Sequence, residues 1–92
     1  MDYIIRVELH GASYAHYEKL HAVLAANGVI NAIAGADGKR YRLPPAEYSY
    51  SGSETPTQVL AAVMQLSATV LPNPAVLVTQ RGACTWQGLL AA

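Results

Sequence analysis

The chain is short of charge and of cysteine and has no long apolar run, and each shortage closes off a class of function. Only 13% of its 92 residues are Asp, Glu, Lys or Arg, and six cations balance six anions to give a formal net charge of zero. A domain that coats nucleic acid by bulk electrostatics needs a surplus of cations, so any nucleic-acid contact here has to come from a local patch. The single cysteine, Cys84, has no partner for an internal disulfide. Its only nearby cation is Arg81, which makes it an inert small hydrophobe rather than an activated thiol. No window approaches the ~18–20 uninterrupted apolar residues of a membrane span. The start, Met1-Asp2-Tyr3-Ile4-Ile5-Arg6, lacks the basic and apolar regions of a secretory signal. A cytoplasmic protein with no membrane partner is expected.

What the chain has is apolar residues, 52% of the total, many of them alanine. The length suits one domain over residues 1–92, and a chain of this size hides only ~60–65% of the surface its unfolded form exposes. Some apolar surface is left over, and a homodimer is the expected way of covering it.

Tyr3, Ile5, Val7 and Leu9 alternate with Ile4, Arg6, Glu8 and His10, the pattern of a half-buried strand. Gly11-Ala12 makes a turn, and the Ser13 hydroxyl is placed to cap a helix over residues 14–27. That helix carries Ser13, Tyr17, Leu20 and Leu24 as a stripe, with His21 and Val23 on its shoulders, and Gly28 ends it in the left-handed conformation. Residues 29–34 predict a second strand, and Ala36-Asp37-Gly38 a tight hairpin. Pro44-Pro45 interrupts pairing. A third strand follows over 46–51, with Ala46, Tyr48 and Tyr50 on one face. Thr55-Pro56-Thr57-Gln58 unites a capping box with proline at the first helical position. The second helix presents Val59, Leu60, Val63, Met64, Ser67 and Val70, and Pro72 and Pro74 stop it. Residues 75–79 form a β-branched strand, and 84–89 can add a short extra C-terminal strand anchored by Trp86. The order predicts an α+β, ferredoxin-like βαββαβ sandwich, with two helices on one face of an antiparallel sheet.

Half of the cations lie close together. Lys39, Arg40 and Arg42 offer phosphate contacts and Tyr41 a ring for stacking on an unpaired base, as a small single-stranded RNA-binding surface requires. The same residues also suit a solvated hairpin whose charges protect a sheet edge. Tyr48 and Tyr50 can extend a stacking platform or belong to the core. His16 and His21 lie about 140° apart around a helix, too far for a shared metal ion, and with one cysteine no metal site or cofactor is expected. On the first strand, Arg6 can steady a phosphorane-like charge while His10 moves a proton, or Arg6 and Glu8 can form salt bridges across a dimer.

The run from Ala32-Ile33-Ala34-Gly35-Ala36-Asp37-Gly38 through Arg42-Leu43-Pro44, followed by Tyr48 and the capped helix from Thr55, resembles the GhoS antitoxin family of type V toxin–antitoxin systems. The resemblance extends loosely to Thr79. It implies a ferredoxin-like fold similar to Cas2, and single-stranded RNA as the molecule bound or cleaved. Where Cas2 carries an aspartate near the end of its first strand, this chain has Leu9-His10. A metal-independent endoribonuclease would therefore use Arg6 and His10, and the other expectation is a non-enzymatic module that dimerises or binds a protein through its open sheet face.

Overall fold

A computed structural model describes all residues, Met1–Ala92. The order is β1 (Asp2–Glu8), α1 (Tyr14–Ala25), β2 (Ala32–Ala34), β3 (Arg40–Arg42), β4 (Glu47–Ser51), α2 (Pro56–Ala68) and β5 (Ala75–Gln80). Strand β1 lies between β4 and β5 and is antiparallel to both, with Ile5 opposite Tyr48 on one side and Val78 on the other. Strands β2 and β3 form a separate two-stranded hairpin. It is tied to β4 by a bridge between Ile30 and Ser49, and the Ser49 hydroxyl donates to the Ala32 carbonyl at 2.5 Å. This compact α+β arrangement of two helices and antiparallel sheets is consistent with a ferredoxin-like fold.

The alternation of β1 decides what is inside. Tyr3, Ile5 and Val7 are fully buried and Leu9 nearly so, while Arg6 and Glu8 are exposed. The inward set joins Leu20 and Leu24 of α1, Tyr48 of β4, and Val59 and Val63 of α2 in one core. Each such side chain contributes about 1.5–3 kcal/mol of hydrophobic stabilisation. Both helices start on a side-chain cap, reciprocal at α2. At α2, Thr55 Oγ1 accepts from the Gln58 amide at 3.2 Å, and Gln58 Oε1 accepts from the Thr55 amide at 2.9 Å. At α1, the His16 ring reaches back so that its Nδ1 accepts from the Ser13 amide at 2.9 Å. The expected cap is thus made by the His16 ring, and the Ser13 hydroxyl meets that ring at 3.0 Å rather than a helix amide. Gly28, at φ +79°, ends α1 in the left-handed conformation.

Three sequence expectations change. Residues 84–89 form no strand; instead Arg42 N donates to Leu90 O at 2.8 Å and Ala92 N to Arg40 O at 3.0 Å, so the segment's end pairs with β3. Gly82 and Gly88, the latter at φ +82°, bracket only Ala83-Cys84-Thr85-Trp86-Gln87, and the glycine at 88 breaks the expected 84–89 run. The basic run also proves to be a strand in its own right, β3, additional to the four strands of the expected βαββαβ order. On α2, Leu60 and Met64 are 37% and 36% exposed, so the buried stripe narrows to Val59, Val63 and Ser67. Those three recur at four-residue spacing and hold one line along the helix, whereas 60 and 64 sit one residue further round.

Candidate functional site

The β2–β3 hairpin is held by its turn. Gly35 N donates to Lys39 O at 2.7 Å and Gly38 N to Gly35 O at 3.1 Å, with Gly38 at φ +81°. A Cβ on Gly35 would lie 2.7 Å from Asp37 Oδ1 and 2.9 Å from the Tyr41 ring, so any larger residue would displace the Asp37–Tyr41 pair. Asp37 organises the interior of the turn: Oδ1 accepts from the Lys39 amide at 3.0 Å and Oδ2 from the Tyr41 hydroxyl at 2.5 Å. The Tyr41 hydroxyl, and after it the Lys39 amide, hold the Asp37 carboxyl below its ordinary pKa. The same bond raises that of Tyr41.

Pairing with β2 places Arg40 opposite Ala34, Tyr41 opposite Ile33, and Arg42 opposite Ala32. Alternation therefore sets the two arginines on one face of the hairpin and Tyr41 on the other. The four RNA-binding candidates do not form one flat patch. Lys39 sits at the turn. Arg40 borders a groove shared with Asp2, Ser51 and Arg81, and Arg42 lines a cleft against α1. Tyr41 is only partly exposed, engaged by Asp37 and by Trp86, whose ring centroid is 5.7 Å away. Lys39, Arg40 and Arg42 are all exposed and none forms an ion pair; among the cations only Arg81, with Asp2 at 3.7 Å, and His10 do so.

The open face of the main sheet carries the two catalytic candidates. Arg6 is opposite Glu47 on β4 and Leu77 on β5, yet makes no ion pair with Glu47. His10 follows the end of β1, with Nδ1 at 3.4 Å from Glu8 Oε1 and both side chains well exposed. From Arg6 along the end of β1 to His10, in the turn that follows, the backbone spans at most about 13 Å. A substrate touching both has to lie along the strand. Tyr48 and Tyr50 are on the opposite, helix-covered side. Tyr48 is fully buried, and Tyr50 stacks on Tyr3 at 6.5 Å and donates to Glu54 Oε2 at 2.6 Å, so neither ring serves a stacking platform.

The third feature is a cleft of about 600 Å³ between α1 and the segment after β3. Tyr14, Tyr17, Glu18 and His21 line one wall, and Asn31, Arg42, Leu43 and Pro45 the other. The α1 residues recur at i, i+3, i+4 and i+7, one helical face. Sequence periodicity follows the apolar stripe of α1 and passes over this adjoining polar and aromatic one; the spacing of Tyr14, Tyr17, Glu18 and His21 is the signal that finds it. Tyr14 is 81% exposed, and the neighbouring Glu18 carboxylate, as hydrogen-bond acceptor and as charge, raises its phenol pKa. His21 Nε2 is buried without a hydrogen-bond partner. No three His, Cys, Asp or Glu side chains are grouped so as to hold a metal ion, and no helix is long and apolar enough to cross a membrane.

In comparison with known proteins, the chain matches no protein-family model and no curated relative.

Proposed function

We propose that this chain is a single-stranded RNA-binding domain of the GhoS-like antitoxin kind, on a ferredoxin-like βαββαβ fold in which the β2–β3 hairpin extends the strand order β5-β1-β4. The observation that carries the reading is the concentration of Lys39, Arg40 and Arg42, exposed and without ion pairs, on one hairpin. In a chain of zero net charge, Arg6 and Lys19 are unpaired as well, but only these three stand together, free to exchange a hydration shell for phosphate. The hairpin is braced at both places: its turn by Asp37 and the outer edge of β3 by residues 90–92. Arg42 also abuts the cleft beside Tyr14, so a strand bound to the hairpin has an exposed ring within reach.

Cleavage is a separable part of the proposal, assigned to Arg6 and His10 without metal. Incubation of labelled single-stranded RNA with the purified chain in a chelator tests both parts. Binding that weakens with salt is expected, with cleavage lost in Arg6→Ala and His10→Ala. Intact RNA under every condition would reduce the activity to binding alone, and no binding at low salt would end the RNA reading.

One observation favours a second reading, a dimerisation or protein-interaction module. Edge strand β5 presents Leu77, 64% exposed, next to the exposed Leu60 of α2. An apolar side chain on an unpaired strand edge invites a second copy. A light-scattering mass of two chains that falls to one in Leu77→Lys supports it, and a one-chain mass for the unaltered protein removes it.

A further inference from the structure

We infer that the cleft between α1 and the Arg42–Pro45 segment is a guanine nucleotide subsite. Tyr14 supplies a ring to stack on the base, Glu18 the acceptor for its Watson–Crick edge, and Arg42 the cation for its phosphate. The inference deepens the RNA-binding reading and rests on it for its biological setting, although the site can be tested without RNA.

The volume of about 600 Å³ falls within the range of small-molecule sites. Its walls combine a largely uncovered aromatic ring with opposite charges that do not neutralise each other, since Glu18 and Arg42 form no ion pair. An aromatic face, an acceptor and a guanidinium are the three groups that meet a base, its edge and its phosphate. Asn31 adds to the acceptors. Its amide nitrogen is committed to the Pro44 carbonyl at 3.0 Å and the Glu47 carbonyl at 2.6 Å, so its oxygen is the group left for a ligand. His21 lies on the same wall with its ring held edge-on by Tyr48 at 5.4 Å, which fixes that side of the cleft.

The choice of base follows from donors and acceptors. A carboxylate accepts through two oxygens. Guanine alone presents two adjacent N–H donors on its Watson–Crick edge, at N1 and N2, which match that pair. Adenine and cytosine offer an amino group beside an acceptor, and uracil a single N–H between two acceptors.

The test is an NMR titration of the whole chain with GMP, IMP and AMP, alongside binding of an A/U-only RNA octamer with or without one central guanosine. IMP differs from GMP only in lacking the N2 amino group. GMP is expected to bind at least about fivefold more tightly than IMP and to shift the Tyr14 and His21 resonances. Glu18→Gln should abolish the preference, and Arg42→Ala should weaken GMP and IMP alike. Equal affinity for the three nucleotides, or a preference that survives Glu18→Gln, overturns the subsite. RNA binding with no gain from the guanosine overturns it too, while leaving the RNA reading intact. A GMP preference in a chain that binds neither octamer supports the subsite and rejects the RNA reading.

Discussion

Trp86 packs against Tyr41 with ring centroids 5.7 Å apart and planes tilted by 56°. The pair fastens residues 86–92 along the outer edge of β3, where Leu90 O and Ala92 N complete the backbone hydrogen bonds of Arg42 and Arg40. A three-residue strand has little hold of its own. The side chains proposed to meet phosphate are therefore positioned by a segment distant from them in sequence.

Trp86→Ala should release that segment. The expected cost is about 1 kcal/mol, with faster hydrogen exchange at the amides of Arg42 and Ala92 and little change at β1. Unchanged protection of both amides would show that the aromatic pair does not hold the edge.

Tyr48 is fully buried and its hydroxyl has no hydrogen-bond partner. Tyr48→Phe removes an unsatisfied group without changing the shape of the core, and should raise stability by about 1 kcal/mol in denaturant unfolding. A loss of stability would mean that the hydroxyl is paired. Burial raises the Tyr48 pKa above the ordinary 10.0, because the fold favours the neutral phenol. Its contribution is complete below the unfolded pKa and is lost as pH climbs above it. Tyr48→Phe should therefore also flatten the alkaline fall in stability.

Ala46 follows the two prolines with φ at +71°, a conformation that disfavours a Cβ. The turn is kept by its bonds, Glu47 N to Pro44 O at 3.1 Å and Val7 N to Ala46 O at 2.9 Å. Ala46→Gly relieves about 1–2 kcal/mol of strain and loses about 0.5–1 through the freer unfolded chain. A net gain of about 0.5–1 kcal/mol is expected from thermal or denaturant melting; a less stable variant would show that the strain is absent.

Where side chains alternate or caps recur, the sequence is a good guide. Strand β1, both helices and the inward set of Tyr3, Ile5, Val7, Leu20 and Leu24 follow from local periodicity, which needs no knowledge of distant partners. The C-terminal segment was not legible because its pairing with β3 depends on a partner some fifty residues earlier, with no alternation of its own. The site was legible only in part. Lys39, Arg40 and Arg42 are visible as a charge cluster, but the two arginines, on one face of the hairpin, border different hollows, Arg42 the cleft against α1 and Arg40 the groove beside Asp2. Tyr41 looked free because Asp37 and Trp86, which engage it, come from a turn and from the far end of the chain.

The central claim is that the cations of the hairpin bind phosphate. Its most direct test is the salt dependence of single-stranded RNA affinity for the unaltered chain and for Lys39→Ala with Arg40→Ala and Arg42→Ala. Three phosphate contacts predict a slope of log K against log salt of about −2, collapsing toward zero in the triple variant as affinity falls. An unchanged affinity and slope in the triple variant would contradict the account.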